Sequence, residues 1–437
     1  MTSRTTNRTN RTSSRILLIA VIALLVIAVG WVFARAKSTR DDLGLPRVAW
    51  EGGPAYYSRF SAPAAAGWTD PSFFPIGVWF ESVVEERDVR MDKEAGLNTY
   101  VELTANSDMG LIRANGMSAI TSKPLAGSGS ETVGWMIADE PDMFAGPGDG
   151  VWSGKYGGEG QVCLPDKPPC GYTAMRSLKD KLPKSDGRLH YANYGKGIAM
   201  WESDDEARKF VNGYTDVMST DVYWYTDTGI CPEAENFIKL PPDRCPRAAN
   251  YGMVVDRGRK LDALDGKRQP IYAFVELGWP GSNGLRSITG DEVAGAVMNS
   301  LIHEARGVIY FNHSFAGPCP SQHVLREPCA QATRTAVTEL NRRIRTLAPV
   351  LNTQSYVHTF APGLDTMLKD LNGSSYVFAM PKPGAQPGRQ TLRLPKALAS
   401  ASSVEVMFEN RTLPVKDGGF TDTFERENTY HVYKVTA

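Results

Sequence analysis

The sequence predicts an α/β fold: a (β/α)8 TIM barrel with a C-terminal all-β sandwich-like domain and an N-terminal transmembrane helix. Between residues 73 and 351, short apolar or β-branched runs alternate with longer amphipathic stretches, the rhythm of parallel strands joined by helices. After residue 351, short alternating strands punctuated by Gly and Pro indicate a β-sandwich. One long apolar run near the N-terminus is the third observation.

The barrel strands follow one another at intervals that leave room for crossover helices. Eight candidate strands occur, which is the number that closes a (β/α) barrel. In order they are FFPIGVWF, NTYVEL, MSAITS, TVGWMIADEP, RLHYANYG, DVMSTDVYWY, QPIYAFVELG and RGVIYFNHSF. Helical patterns precede the second, seventh and eighth strands, and another, TRTAVTELNRRIRTLAPVL, follows the eighth.

The composition excludes several classes of protein. The 437 residues contain 48 Lys and Arg and 48 Asp and Glu, so the formal charge is zero, and only 22% of the residues are charged. A disordered tail, a coiled coil or a polybasic nucleic-acid binder needs a stronger bias. We therefore expect a loop-rich globular protein with no nucleic-acid partner.

The apolar run 16–34 is long enough to cross a bilayer. Four arginines and no acidic residue precede it, which places the N-terminus in the cytoplasm by the positive-inside rule. A cleaved signal peptide is the alternative, because Ala34, Arg35 and Ala36 form a small-residue pattern, but the run is longer than a usual signal core. We expect an uncleaved anchor in the cell membrane, with the rest of the chain outside the cytoplasm.

These patterns divide the chain into five parts. We expect a cytoplasmic basic tail in 1–15, a transmembrane signal anchor in 16–34, a stalk in 35–72, the barrel in 73–351 and a β-sandwich in 352–437.

The six cysteines fall into three pairs that are local in sequence. Each pair closes a segment that contains proline, as short disulfide loops do, whereas no Cys-x-x-Cys or His-x-His spacing supports zinc. Disulfides require an oxidising compartment, in agreement with an extracytoplasmic body. All three loops follow strands, so they either hold binding loops in shape or stiffen an exported protein generally. The expected bridges are Cys163 with Cys170, Cys231 with Cys245, and Cys319 with Cys329.

Two glutamates terminate apolar strands, and such strand ends form the catalytic mouth of a barrel. Glu140 ends the fourth strand and Glu276 ends the seventh. Glycoside hydrolases use a pair of carboxyl groups in different environments. One protonates the leaving oxygen, and the other attacks the anomeric carbon. The alternative is that each glutamate forms a structural ion pair with Arg or Lys.

With these motifs the stretch 73–351 resembles the retaining glycosidases of glycoside hydrolase clan A. Their barrels carry an acid/base Glu in an Asn-Glu-Pro-like motif at strand four and a nucleophile Glu at strand seven. The resemblance implies that Glu140 is the acid/base and Glu276 the nucleophile. Asp139 stands where the clan usually has Asn; we expect it to hold a sugar hydroxyl or the Glu140 side chain, and its charge to help keep Glu140 protonated.

Other polar and aromatic residues end the remaining strands and are candidates for substrate binding. The tryptophans could stack on sugar faces, although an aromatic at a strand end is as often a packing residue. No His pair has metal-ligand spacing and no Gly-rich nucleotide loop follows a strand, so we expect neither metal nor cofactor. The candidates are Trp79, Glu81, Glu102, Asn193, Tyr194, Asp221, Tyr223, Trp224, Trp279, Asn312 and His313.

The sequence thus favours a membrane-anchored, extracytoplasmic glycoside hydrolase that cleaves a polysaccharide or oligosaccharide by a retaining double displacement. A non-catalytic carbohydrate-binding or cell-envelope scaffold protein on the same barrel is the alternative. An enzyme that transfers sugars would share the covalent intermediate and is not separated from a hydrolase by the sequence.

Overall fold

The computed structural model describes residues 43–281 and 286–436. All eight predicted barrel strands are confirmed. They are parallel and close into a barrel in the order β1-β8-β7-β6-β5-β4-β3-β2. The strands are β1 Ile76–Glu81, β2 Thr99–Leu103, β3 Ser118–Thr121, β4 Thr132–Asp139, β5 Leu189–Tyr194, β6 Val217–Thr220, β7 Ile271–Glu276 and β8 Val308–Phe311.

Helices connect and cover the strands. Two of the longer ones begin with a capping box, in which Ser203 pairs with Glu206 and Thr289 with Glu292, so their free N–H groups are satisfied by the local sequence. The helices are α1 Gly53–Tyr57, α2 Ser61–Ala65, α3 Glu86–Glu94, α4 Met109–Ala114, α5 Pro141–Phe144, α6 Gly171–Lys181, α7 Asp204–Gly213, α8 Ile230–Ile238, α9 Ala249–Asp262, α10 Gly290–Ile302 and α11 Gln331–Leu351.

The barrel interior is filled with side chains, as the alternation of a strand requires. On β7, Tyr272 and Phe274 belong to the interior cluster, while Ile271, Ala273 and Val275 pack in the larger cluster that includes the surrounding helices. Continuing this alternation, Glu276 follows Phe274 on the inward face at the carboxyl end of the strand.

The amino-terminal end of the barrel is closed by residues that the sequence assigns to a stalk. Tyr57 and Trp68 are 1% and 0% exposed, and both belong to the interior cluster. The Trp68 indole donates to Ser118 at the start of β3, and the Tyr57 hydroxyl bonds that of Tyr272 near the start of β7. Residues 46–72 are part of one compact unit that extends to the C-terminus. The stalk prediction is therefore wrong for this stretch, because its aromatic residues bury themselves beneath the barrel.

Beyond the barrel lie two antiparallel sheets, as the all-β prediction requires. The larger has six strands in the order β9-β10-β11-β16-β13-β14, and the smaller pairs β12 with β15. Phe420 and Tyr433, one from each sheet, touch with ring centroids 4.7 Å apart. The strands are β9 Ser355–Tyr356, β10 Leu364–Leu371, β11 Ser374–Pro381, β12 Gly388–Arg393, β13 Ser403–Val406, β14 Arg411–Pro414, β15 Gly419–Phe424 and β16 His431–Thr436.

An ionic contact through His303 joins this β domain to the barrel. His303, at the end of α10, contacts Asp256 of α9 at 2.7 Å and Asp365 of β10 at 3.4 Å. Nearby, Arg306 is ion-paired with Glu304. The two parts of the chain therefore share an ionic interface.

All three expected disulfides are present: Cys163 with Cys170, Cys231 with Cys245, and Cys319 with Cys329. The predicted tail 1–15 and span 16–34 lie outside the described residues. Within the ranges that are described, no helix combines the length and apolarity needed to cross a membrane.

Candidate active site

Glu140 stands at a sharp turn between β4 and α5. Its backbone has φ 48° and ψ 43°, a left-handed conformation that costs free energy for any residue other than Gly. Pro141 begins the helix, and the Glu140 N–H donates to the carbonyl of Asn193 at the end of β5, at 2.9 Å. The turn and this bond place the Glu140 side chain at the carboxyl end of the barrel.

The surroundings of Glu140 are acidic. Its pKa is raised to about 7, first by burial and then by the charges of Asp139 and Asp142, while Lys196 acts in the opposite direction. Asp221 acts on the Glu140 pKa in the same direction as Lys196, and its own pKa is raised first by burial and then by the charge of Glu140. Burial and the charge of Glu140 hold the pKa of Asp221 well above its ordinary value, so these two neighbouring carboxyls retain a proton near neutral pH.

Asp139 is fixed by an amide rather than by Glu140. The Asn193 amide donates to Asp139 at 2.9 Å, and the hydroxyl of Ser219 donates to the other end of the same amide at 2.6 Å. This second bond orients the amide so that its N–H group faces the carboxylate. Burial raises the pKa of Asp139 to about 6. The charge of Asp139 raises the pKa of Glu140, the direction expected from the sequence.

Asp142 holds the loop after β5 in place. It accepts hydrogen bonds from the backbone N–H groups of Gly195, at 3.1 Å, and Ile198, at 2.9 Å. Next to them the Lys196 ammonium pairs with Asp227 and Glu233, each at 2.7 Å. The ammonium that opposes the rise of the Glu140 pKa is therefore held by the segment after β6 and by α8.

Glu276 has a different environment. Its carboxyl is fully buried and accepts hydrogen bonds from the Tyr251 hydroxyl, at 2.8 Å to each oxygen, and from the Thr226 hydroxyl at 3.1 Å. Burial raises its pKa to about 7, while these two hydroxyls favour the ionised form. The alternative of a structural ion pair does not describe Glu276, because its side-chain partners in the described residues are neutral.

Two other predicted residues form a structural clamp at β1 and β8. Asn312 donates to Glu81 and accepts from the backbone N–H of Leu325 at 2.9 Å. Glu81 also contacts His323 at 2.5 Å and Arg326 at 3.3 Å. Glu81 is thus a glutamate in a structural ion pair, the alternative that was considered for Glu140 and Glu276. Its contacts hold the loop that follows β8 in place.

Glu102 and His313 occupy the same end of the barrel. Glu102 has φ 58° and accepts from the backbone N–H of Ser122 at 2.7 Å and from its hydroxyl at 3.1 Å. The His313 ring approaches the Phe80 carbonyl at 3.2 Å and lies 4.9 Å from the ring of Phe311. Both are largely buried, and both contact their neighbours rather than Glu140 or Glu276.

The aromatic candidates differ in exposure. Trp79 is 7% exposed and packs on Phe274 inside the barrel, and Trp224 is 1% exposed in the core outside it. Neither ring presents a free face to a sugar. Trp279 and Tyr223 are half-buried. Burial and the charges of Asp221, Glu140 and Asp139 raise the pKa of Tyr223, so this hydroxyl adjoins the three carboxyls.

Several residues of the site carry no signal in the sequence. Tyr251 lies on α9, 25 positions before Glu276, and Thr226 lies in the long segment after β6. Asp142 and Lys196 look like ordinary loop residues. The sequence identifies a site residue only where that residue ends a predicted strand, as Asp221 does. In the described part of the chain, no three His, Cys, Asp or Glu side chains are arranged to hold a metal ion.

Comparison with known proteins gives no family match and no match among curated proteins. Solved structures with a similar fold include a glycoside hydrolase family 30 endoxylanase from Clostridium papyrosolvens, at 10% identity, TM-score 0.44, covering 84% of this chain and 97% of that one. A second is AmyP in complex with maltose, at 9% identity, TM-score 0.47, covering 86% and 99%. A third is an α-amylase from Geobacillus thermoleovorans complexed with acarbose, at 10% identity, TM-score 0.46, covering 82% and 98%.

No residue role is carried over from these structures. The eight-stranded barrel, with glutamates at the ends of β4 and β7, has the architecture that the resemblance to clan A glycosidases implies. The chain has a closed, parallel eight-stranded barrel.

Proposed function

We propose that the protein is a retaining glycoside hydrolase in which Glu140 is the acid/base and Glu276 the nucleophile. The contrast between their environments carries the proposal. Burial raises both pKa values to about 7, but the charges of Asp139 and Asp142 add to the rise at Glu140, whereas the Tyr251 and Thr226 hydroxyls oppose it at Glu276. Two carboxyl groups whose neighbours act in opposite directions are suited to opposite roles.

In the first step the Glu276 carboxylate attacks the anomeric carbon, and the bond from that carbon to the leaving oxygen breaks as Glu140 gives the oxygen its proton. In the second step Glu140 takes a proton from water, which attacks the same carbon and releases Glu276. Each residue returns to its starting state, and the anomeric configuration is retained. A Glu140 pKa of about 7 suits a group that both gives and takes a proton near neutral pH.

The neighbouring groups have matching tasks. The Tyr251 hydroxyl holds both oxygens of Glu276 and so orients the nucleophile. On the β6 side, Asp221 is buried, and its raised pKa keeps a proton beside Glu140. We expect the Glu140 and Glu276 carboxyl groups to lie about 5 to 5.5 Å apart in a substrate complex, the separation for a direct displacement.

The test is a pair of glutamine variants of the chain from Asp41 onward, assayed on a panel of cell-wall polysaccharides. We expect Glu276→Gln to abolish the covalent intermediate. Glu140→Gln should slow substrates with poor leaving groups by about a hundred- to ten-thousand-fold, and activated aryl glycosides much less. Glu235→Gln, an exposed change on α8, is the matched control and should keep full activity.

Product stereochemistry, followed by NMR, supplies the second measurement. Full activity in both glutamine variants, or a product of inverted configuration, contradicts the proposal. A wild-type chain that binds a glycan but never cleaves it would favour the non-catalytic scaffold.

We further propose that the run 16–34 anchors the body outside the cytoplasm. The support is its length, the basic residues before it, and three disulfides, which form in oxidising compartments. Protease added to intact cells should remove the body. Its protection in cells whose envelope admits protease would overturn the placement without affecting the catalytic proposal.

A further inference from the structure

A cavity of about 490 Å³ opens between the loops that follow β5 and β6. Its volume falls in the range of small-molecule sites. One wall is the π-helical turn Gly197–Trp201 with the residues after it, and the opposite wall is the end of α8. The side chains that matter for its chemistry are Met200, Glu202, Trp224, Phe237, Leu240 and Met253.

Glu202 is the unusual member of this lining. It is 8% exposed, and neither of its carboxyl oxygens has a hydrogen-bond partner among the described residues. The adjacent guanidinium of Arg257 does not serve the carboxyl, since it donates to the main-chain oxygens of Ile198 and Glu202 and to Asp204. A buried carboxyl without a partner is costly, so it has an unused capacity for binding.

The Glu202 carboxyl is neutral at physiological pH. Burial raises its pKa to about 9, the charges of Asp142 and Glu206 add to the rise, and the charge of Arg257 acts in the opposite direction. In this state it offers one O–H donor and one carbonyl acceptor. It therefore complements an amide or a hydroxyl rather than a charged group.

A second buried polar group lines the same cavity. The Trp224 residue is 1% exposed, and its indole N–H has no acceptor among the described residues. The rest of the wall mixes apolar side chains, among them Phe237, which is 48% exposed at the rim, with Ser203, Asp204 and Arg257. Lys239 and Arg244 add positive charge to the lining and disfavour a cationic guest.

We propose that this cavity binds a small uncharged molecule that has an apolar body and an amide or hydroxyl group, with the Glu202 carboxyl and the Trp224 indole as its polar contacts. Lys239 and Arg244 disfavour a cationic guest, and an anionic guest must outweigh the cost of losing its hydration beside a neutral acid. None of the six lining side chains named above is a hydrogen-bond partner of Glu140 or Glu276, so this site is additional to the proposed catalytic one.

The test uses N-benzylacetamide, which is uncharged at every pH of the experiment, with benzylammonium and benzoate as charged probes of similar shape. Binding to the full-length chain in lipid nanodiscs is measured by calorimetry and ligand-observed NMR. We expect N-benzylacetamide to bind about tenfold or more tightly than either charged probe at neutral pH. Equal binding of the three probes overturns the proposal.

Two substitutions at Glu202 and one at the rim localise the binding. Glu202→Gln keeps an uncharged donor and acceptor and should preserve affinity, whereas Glu202→Leu should lower it about tenfold. Phe237→Ala, an exposed change, should lower it severalfold. Unchanged affinity in both Glu202→Leu and Phe237→Ala places the probe elsewhere and refutes the assignment.

The pH dependence gives an independent readout. Affinity of the wild type should fall as pH rises through about 9, because Glu202 then loses the proton it donates. The Glu202→Gln variant should lack this fall. A fall of the same size in the variant would show that Glu202 is not the group in contact with the probe.

Discussion

The hydroxyl of Tyr251 lies 2.8 Å from each carboxyl oxygen of Glu276. This one contact joins a helix that precedes β7 to the last residue of β7. Because the hydroxyl is centred between the two oxygens, it constrains the rotation of the carboxyl as well as its charge. The orientation of the proposed nucleophile therefore depends on how α9 packs against the barrel.

Removing that hydroxyl should destabilise the ionised form of Glu276 relative to the protonated form. A hydrogen bond to a charged group is worth about 1.5 to 3 kcal/mol, or roughly one to two pKa units. In Tyr251→Phe we expect the pKa of Glu276 to rise, so the acidic limb of kcat/KM against pH moves upward by about one unit. Tyr225→Phe is the control, because the Tyr225 ring stacks on Tyr251 but its hydroxyl donates to Glu427. Identical profiles for the two variants would contradict the role of Tyr251.

Removing the charge of Asp139 should change the alkaline limb of the curve of kcat/KM against pH. The negative charge of Asp139 raises the pKa of Glu140, so Asp139→Asn should lower that pKa. Glu140 then loses its proton at lower pH, and the alkaline limb of kcat/KM moves downward. The exposed change Asp166→Asn should leave the limb in place. An upward shift in Asp139→Asn would show that the charge of Asp139 does not govern Glu140.

The interface between the barrel and the β domain should depend on pH through His303. Burial disfavours its charged form, but the contacts with Asp256 and Asp365 outweigh burial and raise its pKa from 6.5 to about 9. A raised pKa contributes stability that is complete below the unfolded value and is lost as pH rises through the folded value. The contribution is about 3 kcal/mol. Urea unfolding between neutral pH and pH about 10 should show this loss in the wild type and much less of it in His303→Gln.

The aromatic residues that close the amino-terminal end of the barrel should contribute strongly to the free energy of unfolding. Trp68 is fully buried, stacks on Phe73 with centroids 4.9 Å apart and donates to Ser118 at 2.9 Å. Trp68→Ala should lower the free energy of unfolding by about 3 to 5 kcal/mol. Phe315→Ala, at a residue that is 55% exposed, is the control and should cost far less. If Trp68→Ala lowered the free energy of unfolding in urea titrations by as little as Phe315→Ala does, the amino-terminal segment would not be part of the cooperative unit.

The strands were predictable because their signal is local. A run such as IYAFVE on β7 identifies itself by its apolar and β-branched residues, and its final Glu276 identifies the site end. The donor Tyr251 was not predictable, because its hydroxyl reaches Glu276 only through the packing of α9. The segment 46–72 was misassigned for a related reason: Tyr57 and Trp68 lie in short helices and turns without a regular period, so their burial leaves no pattern in the sequence.

The closure of the barrel by residues 46–72 also governs how the molecule bears mechanical load. Tension entering the chain from its amino-terminal side first meets residues 46–48, whose backbone is hydrogen-bonded to Ser355 and Val357, and then Tyr57 and Trp68, before it reaches β1. Through their hydrogen bonds to Tyr272 and Ser118, the force is divided between β7 and β3. β1 is therefore not the first element that such a force acts on, because the contacts of the amino-terminal segment bear part of it.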